Sequence, residues 1–174
     1  NGTAWAKEMG EYMMGYHLKD EPPRATFDSL SAWYKKYLQA DPDHIPYVNL
    51  YPSYVGAQGL GGTYREYLQA WIDAVGAEKM LALSHDYDPF GTESTNTGIF
   101  SDMEDMRYIA YQNGKLPTHA FLQSTGWTNM RMPDMDEIRW NAYSYLAYGF
   151  KALSYFNYCN PGASGEGFDV SLIM

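Results

Sequence analysis

The chain has 174 residues, one cysteine and a formal net charge of -9, with 21 Asp and Glu against 12 Lys and Arg. This negative charge excludes the basic face on which nucleic acid binding depends, because phosphate groups would be repelled. A lone cysteine excludes an intrachain disulfide, and no stretch of the sequence approaches the roughly 20 apolar residues of a membrane-spanning helix.

Short apolar segments rich in β-forming residues alternate with longer stretches in which apolar residues recur at helical spacing. In chain order we predict a strand at 12–18, a helix at 26–39, a strand at 45–51, a helix at 63–75, a strand at 79–84, a helix at 101–113, a strand at 118–123, a helix at 136–150 and a strand at 152–157. The third helix is expected to open with a capping box, because Ser101 and Glu104 have that spacing. Strands that alternate with helices pair in parallel through right-handed crossovers, so the pattern predicts an α/β fold.

The pattern favours a parallel barrel over an open, doubly wound sheet. An open sheet that binds a dinucleotide carries Gly-x-Gly-x-x-Gly after a strand, whereas Gly59, Gly61 and Gly62 follow a long polar loop. A complete (β/α)8 barrel needs about 250 residues. We therefore predict that residues 1–174 are the C-terminal portion of a barrel domain cut from a longer chain, with no second domain. Its exposed sheet edges are expected to be covered by the missing half or by a second copy.

Polar and aromatic side chains gather where each predicted strand ends, which is the end at which parallel barrels carry their active sites. Strand by strand, these candidates are His17, Lys19, Asp20 and Glu21; Asn49 and Tyr51; Ser84, His85, Asp86, Tyr87 and Asp88; Gln123 and Ser124; and Tyr155, Asn157 and Tyr158.

Two carboxylates on different strand ends suit the hydrolysis of a glycosidic bond. One must protonate the departing oxygen, and the other must act at the anomeric carbon or on its water. Glu21 and Asp86 form the candidate pair. Pro22 fixes the chain beyond Glu21, and the charge of Asp20 is expected to raise the pKa of Glu21 so that it keeps its proton. The alternative is that Asp20 and Glu21 are acidic residues placed near a helix start by its dipole.

Aromatic residues make up 17% of the chain, and 17 residues are tyrosines. A pyranose has an apolar face on which rings stack and a hydroxyl rim to which Tyr and Trp can hydrogen-bond. Trp127, in the loop after the fourth predicted strand, is therefore expected to form a wall of a sugar site. Its alternative role is packing against the flexible side chains of Met130, Met132 and Met135.

Residues 14–22, which read Met-Gly-Tyr-His-Leu-Lys-Asp-Glu-Pro, resemble the acid/base motif on the fourth strand of the large superfamily of retaining glycosidases with (β/α)8 barrels. Asn-Glu-Pro is usual there, and Asp20 replaces the Asn. Residues 83–90, 121–124, 137–140, 147–151 and 155–156, in that order, resemble β-galactosidase-like proteins of polysaccharide-degrading gut bacteria. The resemblance implies strands four to eight of such a barrel, hydrolysis of a poly- or oligosaccharide with Glu21 as general acid and no cofactor, and a secreted or periplasmic location.

The sequence departs from this superfamily at the nucleophile. The superfamily has a Glu at the end of strand seven, where Gln123 stands here and cannot attack an anomeric carbon. Asp86 could serve as nucleophile or as the base of an inverting enzyme, and Glu166 in a glycine-rich loop is a second candidate. We favour Asp86, because its strand exit is better defined than that loop.

Two other readings of this departure stay open. Loss of catalysis would leave a non-catalytic carbohydrate-binding barrel. Asp20 and Glu21 also resemble the adjacent acidic pair of substrate-assisted hexosaminidases, in which no protein nucleophile is needed.

The remaining candidates divide into substrate contacts and structural residues. A metal site is not favoured, because His85, Asp86 and Asp88 lie on one strand exit and barrel metal sites gather ligands from several strands. His119 is expected to be structural, Arg139 to pair with Glu137 or another carboxylate, and Trp33, Trp71 and Trp140 to lie in the core. The expected carbohydrate contacts are His17, Asp20, Asn49, Tyr51, His85, Tyr87, Gln123, Trp127, Tyr155 and Asn157.

Overall fold

A single five-stranded parallel sheet organises the computed structural model, which describes residue 4 and residues 8–157. The strands are β1 (Gly15–Asp20), β2 (Ile45–Leu50), β3 (Leu83–Tyr87), β4 (Thr118–Gln123) and β5 (Ala152–Phe156), and they lie side by side in chain order. The sheet curls into a half-barrel with helices between the strands. The predicted α/β class and the parallel pairing of the strands are thus confirmed.

Helices connect every pair of neighbouring strands. They are α1 (Phe27–Ala40), α2 (Gly56–Leu60), α3 (Tyr64–Val75), α4 (Ile99–Gln112) and α5 (Met135–Ala147). The four long helices overlap the four predicted ones, whereas the short helix α2 was not predicted. In the described part of the chain, no helix combines the length and the apolar character that crossing a lipid bilayer requires.

Two predicted strand starts are wrong. The first strand begins at Gly15 rather than at residue 12, because Gly10–Tyr12 form a 3-10 turn ahead of it. The third begins at Leu83 rather than at residue 79, because Ala77–Lys79 form another such turn after α3. Apolar residues between these turns and the strands extended the strand pattern into segments that are not strands; they are Met13, Met14, Met80, Leu81 and Ala82.

The predicted capping box at Ser101 is also wrong. Helix α4 begins earlier, after Gly98, and no side chain caps it. A Cβ on Gly98 would lie 2.6 Å from the Tyr87 hydroxyl, so only glycine lets the helix start this close to β3. Capping boxes instead open α3, where Thr63 and Glu66 exchange hydrogen bonds, and α5, where Asp134 and Glu137 do so.

The hydrophobic core lies between the helices and the outer face of the sheet. Trp71 is 1% exposed, as predicted, and it packs against Phe27 and Tyr34. Replacing a buried Trp by Ala typically costs about 3–5 kcal/mol. Trp33 is 58% exposed and was wrongly placed in the core, because the next residue on α1, Tyr34, takes the buried position. One helical step turns a side chain by about 100°, so neighbours rarely share a face.

One prediction about α5 needs correction. Trp140 is 37% exposed and packs at the rim between Phe90 and Phe100 rather than inside the core. The prediction that Arg139 pairs with Glu137 or another carboxylate is confirmed, since it pairs with Asp136. The partner of Glu137 is Arg131, which links the start of α5 to the loop after β4.

The inner face of the sheet carries the side chains that alternate with the core positions. We use the term inner face for His17, Tyr47, Asn49, Ser84, Asp86, His119, Phe121, Ser154 and Phe156. His17 stacks on Tyr47 at 5.0 Å between ring centroids, and Tyr47 contacts Phe121 on β4. Aromatic and polar side chains from all five strands therefore meet on the side of the sheet opposite the core.

Candidate functional site

A cavity of about 420 Å³ opens at the carboxyl ends of the strands. Its volume lies within the usual range for small-molecule sites. The side chains that line it come from all five strands and from the loops that follow them. They are His17, Asp20, Glu21, Asn49, Tyr54, Asp86, Asp88, Phe121, Trp127 and Phe156.

Backbone geometry fixes Glu21 at the exit of β1. Its φ is +44°, a left-handed conformation that non-glycine residues rarely adopt outside turns and functional sites. Its amide N–H donates to the Asn49 carbonyl at 2.8 Å, which joins it to β2. The Tyr67 hydroxyl donates to the carbonyl of the next residue, Pro22, at 2.7 Å. These two bonds hold the carboxyl group of Glu21 over the end of the sheet.

The pKa of Glu21 is raised to about 7, chiefly by burial and secondarily by the charge of Asp20. The predicted direction and the predicted contribution of Asp20 are confirmed, but burial has the larger effect. A carboxyl with a pKa near 7 keeps a proton at a pH where ordinary carboxyls have lost theirs. Glu21 can therefore donate a proton at neutral pH.

Two further carboxyls in the cavity also hold their protons unusually well. Burial raises the pKa of Asp88 to about 7, with Glu21 and Asp20 adding like-charge repulsion. Burial raises the pKa of Asp86 well above its ordinary value, and the charges of Asp88, Glu21 and Asp20 raise it further. The protonation of Asp86 and Asp88 thus depends on the charge of Glu21.

A chain of hydrogen bonds crosses the inner face and ends at Asp20. The Ser154 hydroxyl donates to His119 Nε2 at 2.9 Å, and His119 Nδ1 donates to Ser84 Oγ at 2.7 Å. Ser84 donates to Asn49 Oδ1 at 3.3 Å, and Asn49 Nδ2 donates to Asp20 Oδ1 at 2.9 Å. This direction requires a neutral imidazole, and burial together with His17 lowers the pKa of His119 to about 4. His119 therefore has a structural role, as predicted, and the chain orients Asp20.

Aromatic rings form the other walls of the cavity. Trp127 meets Phe156 edge to face at 6.0 Å between centroids, and its backbone pairs with that of Met130. Tyr54 approaches the buried ring of Tyr87 edge-on at 5.0 Å. The half-buried Trp127 indole thus lines the cavity, as the sugar-wall prediction requires.

The structure brings together Glu21 and Asp86 with four of the ten predicted contacts: His17, Asp20, Asn49 and Trp127. Asp88 was noted only as a strand-exit residue, and Tyr54, Phe121 and Phe156 were missed. Phe121 and Phe156 could have been found from the alternation of each strand, which places them on the same face as Asp86. Tyr54 belongs to a 3-10 turn after β2 and has no comparable signal in the sequence.

Gln123 does not line the cavity. Its side chain is fully buried, and its Oε1 accepts a hydrogen bond from the Phe90 amide at 2.8 Å. Its Nε2 donates to the carbonyls of Phe90, Thr125 and Arg131 at 2.9 to 3.3 Å. Gln123 therefore fastens the loops after β3 and β4 to each other and has no free polar atom with which to contact a sugar.

The other predicted contacts also lie outside the cavity lining. His85 and Tyr87 are buried on the outer face of β3, where His85 Nδ1 meets the Tyr64 hydroxyl at 3.0 Å. Tyr155 lies on the outer face of β5, one residue from Phe156. Tyr51 packs against Tyr67, and the Asn157 carbonyl accepts from Ser124 Oγ at 3.3 Å. Tyr158 and Glu166 lie outside the described residues.

Two further findings concern metal binding and the similarity of the chain to known proteins. Within residues 8–157, no three His, Cys, Asp or Glu side chains are grouped closely enough to hold a metal ion. No family model matches the chain, and no curated protein matches it significantly.

The raised carboxyl pKa values predict an unusual pH dependence of stability. Glu21, Asp86 and Asp88 bind protons more tightly in the folded state, so their contribution to stability is present below the unfolded pKa near 4. For Glu21 and Asp88 it is lost as pH rises through about 7. We expect urea unfolding to give a falling free energy between about pH 6.5 and 8. Asp88→Asn should reduce that fall by roughly 0.5–1 kcal/mol.

The pH window and a control variant separate the effect of the carboxyls on stability from the effect of the histidines. His85 and His119 have lowered pKa values, so their effect is confined to pH below the ordinary histidine value. His44 has a raised pKa, and its contribution to the free energy of unfolding is the same in wild type and in Asp88→Asn. Glu93→Gln, an exposed change in the loop after β3, should leave the slope as in wild type. Equal slopes in wild type and Asp88→Asn would contradict the assignment.

Proposed function

We propose that the chain is a glycoside hydrolase in which Glu21 is the general acid. The observation that carries this proposal is a carboxylic acid with a pKa of about 7, fixed at a strand exit in a cavity lined by other carboxylates and by aromatic rings. Cleavage of a glycosidic bond needs a proton on the departing oxygen at the moment that the bond breaks. Glu21 holds such a proton at neutral pH, and the other groups can bind a sugar around it.

Asp86 is proposed as the second carboxylate, acting at the anomeric carbon as nucleophile or as the base for a water molecule. It lies on the inner face of β3, and Glu21 contributes to the electrostatic shift of its pKa, so the two carboxyls interact across the cavity. Positive charge that develops at the anomeric carbon in the transition state favours the ionised form of Asp86. The configuration of the first product, read by NMR, distinguishes the nucleophile from the base.

The aromatic walls and the polar floor supply the sugar contacts in this proposal. Trp127, Phe121, Phe156 and Tyr54 offer flat apolar surfaces for the C–H face of a pyranose. His17, Asp20 and Asn49 offer hydrogen-bonding groups for its hydroxyls. Asp20 is already oriented by Asn49, so it meets a substrate without rearrangement.

The five strands are proposed to be strands four to eight of a (β/α)8 barrel of the retaining-glycosidase type, similar to the β-galactosidase-like proteins of gut bacteria. In support of this, β1 and β5 each have one edge without a strand partner in the described sheet. A small apolar recess at the amino ends of the strands, formed by residues such as Met14, Ile45 and Ala152, also faces inward. Three more strands would close the sheet and cover this recess.

The open edges lead to a prediction about association. We expect the 174-residue chain alone to form a dimer or a larger species, because the described residues leave two sheet edges and an inward apolar surface uncovered. Size-exclusion chromatography with light scattering gives the mass directly. A longer natural chain, where one exists, serves as the control and should be monomeric if it supplies the missing strands. A stable, monodisperse monomer of the 174-residue chain would contradict the prediction.

A second candidate function is carbohydrate binding without catalysis. It is favoured by Gln123, which stands where the superfamily has its nucleophile and is fully engaged in holding loops. A third is substrate-assisted hydrolysis of an N-acetylhexosaminide, which the adjacent Asp20 and Glu21 favour.

Turnover of nitrophenyl glycosides separates these functions. A binder turns over none of them, and the third function requires the acetamido group. The proposed function requires that wild type hydrolyse one of them and that Glu21→Gln lose activity on the 4-methoxyphenyl glycoside of the same sugar, whose poor leaving group needs a proton.

A further inference from the structure

The cavity is strongly acidic and contains no strong cation among its described lining residues. Asp20, Glu21, Asp86 and Asp88 all line it, and no Lys or Arg does. The only basic side chain there is His17, whose Nε2 lies 3.8 Å from Asp20 Oδ1. A cleft lined by one sign of charge attracts ligands of the opposite sign and repels ligands of the same sign.

We propose that the substrate is a cationic sugar, a glycoside of an amino sugar with a free ammonium group, and that Asp86 and Asp88 receive this group. This inference rests on the proposed hydrolase function and narrows its substrate class. Amino sugars combine a pyranose, which suits the aromatic walls, with a positive charge, which suits the acidic floor. Uronic acids and sulfated sugars carry the opposite charge and would be repelled.

An unpartnered oxygen in the cavity points to such a ligand independently of the overall charge. The Oδ1 atom of Asp86 is buried, and no described group donates a hydrogen bond to it. Leaving a buried acceptor without a donor is costly, roughly 1–3 kcal/mol and more for a charged group. A primary ammonium brings three donors and a full positive charge, so it can satisfy Asp86 and a neighbouring carboxylate together.

The geometry of β3 brings Asp86 and Asp88 to the same side. They are two residues apart where the strand runs out, and side chains at that spacing share a face of an extended chain. Both line the cavity, and the charge of Asp88 raises the pKa of Asp86. Two acidic side chains on one side of one strand are suited to share a single ammonium.

An ammonium group also neutralises the repulsion between the carboxylates of the cavity, which a neutral sugar cannot do. Without a cation, Glu21, Asp86 and Asp88 reduce their repulsion by keeping protons, because burial and the neighbouring charges raise their pKa values. An ammonium between Asp86 and Asp88 would replace those protons and leave Asp86 ionised, as its role at the anomeric carbon requires. The rings of Trp127 and Phe156 add a surface that attracts cations.

The test compares glycosides that differ only in charge. Wild type is assayed at about pH 6.5, where an amino sugar is mainly charged, with 4-nitrophenyl glycosides of a hexose, its 2-amino and 6-amino derivatives, its N-acetyl derivative and its uronic acid. The α and β anomers of the gluco and galacto series are included. We expect kcat/KM for one amino glycoside to exceed that for the matched hexoside at least tenfold, and the uronide to fall at least tenfold below it.

Variants show whether the carboxylates cause the preference. Asp88→Asn should reduce the ratio of kcat/KM for the amino glycoside to that for the hexoside about tenfold, and this ratio is the measured quantity whatever the absolute rate. Glu93→Gln is the matched control, because Glu93 is exposed in the loop that follows β3 and does not line the cavity. It removes one negative charge from that loop and should leave the ratio as in wild type.

The outcomes distinguish a failure of the cationic-substrate proposal from a failure of the hydrolase proposal. A hexoside or N-acetyl glycoside that is hydrolysed as fast as the amino glycosides overturns the cationic substrate and leaves the hydrolase function standing. An unchanged ratio in Asp88→Asn overturns the assignment of the ammonium site. Absence of turnover with every glycoside overturns the hydrolase function, and the inference fails with it.

Discussion

Glu21→Gln is expected to reduce hydrolysis of glycosides with poor leaving groups by about 10²–10⁴-fold, the usual contribution of general acid catalysis. Glutamine has nearly the same shape and keeps the backbone bond to Asn49, but it has no proton to donate. The measurement is kcat with a 4-methoxyphenyl glycoside or an oligosaccharide. Thermal unfolding of both proteins shows whether the fold is retained.

The pH dependence of activity provides a second test of Glu21 as the general acid. Wild-type kcat/KM should fall as pH rises past about 7, because Glu21 of the free enzyme then loses the proton that the leaving group needs. This alkaline limb should be missing in Glu21→Gln. Glu93→Gln, an exposed change outside the cavity, should retain both the rate and the limb. A Glu21→Gln enzyme with the wild-type rate and profile would exclude Glu21 as the acid.

Asp86→Asn is expected to reduce turnover by roughly 10³–10⁵-fold, as removal of a reacting group does in other hydrolases. Asp88→Asn should have a smaller effect on the same substrate, because Asp88 lies in the cavity without acting at the anomeric carbon. Asp43→Asn, exposed at the opposite end of the sheet, is the matched control and should have no effect.

Chemical rescue tests the role of Asp86 more specifically. Asp86→Ala leaves a gap beside the anomeric carbon that formate or azide can enter. We expect either anion to restore part of the activity, and azide to form a glycosyl azide, whose configuration reports the face of attack. If Asp88→Ala is rescued and Asp86→Ala is not, the two roles must be exchanged.

Removal of the Asp86 charge should also change stability. A carboxyl with a strongly raised pKa destabilises the folded state at a pH where it is forced to ionise. Asp86→Asn should therefore unfold at a higher temperature than wild type at about pH 8. A variant that loses activity while gaining stability cannot owe the loss to misfolding.

The sequence predicted the order and class of the elements because alternation of strand and helix patterns depends on local spacing. It also predicted the Glu21 motif and the direction of its pKa shift, since Asp20 is its neighbour in the chain. The larger cause of that shift, burial, could not be read from the sequence. Burial depends on the curl of the sheet, which brings Asp86 and Asp88 from β3 to the end of β1.

The wrongly predicted contacts have two physical origins. On β3 and β5 the prediction took neighbouring residues at the strand exit without regard to the face, whereas a strand points alternate side chains to opposite faces. His85, Tyr87 and Tyr155 therefore lie on the outer face, while Asp86 and Phe156 lie on the inner face.

Gln123 was predicted to contact a sugar and does not line the cavity, for a different reason. Its partners, at Phe90 and Arg131, are distant in the chain and are brought together only by the packing of two loops. No pattern in the sequence around Gln123 indicates that its amide is already engaged.

The most direct measurement of the central claim is the dependence of kcat on the leaving group, made with aryl glycosides of one sugar whose phenols span a wide range of pKa. With Glu21 as the acid, wild type should show little dependence. Glu21→Gln should show a steep one, and it should approach the wild-type rate only for the most acidic phenol. Parallel dependences in the two proteins would contradict the assignment of Glu21 as the proton donor.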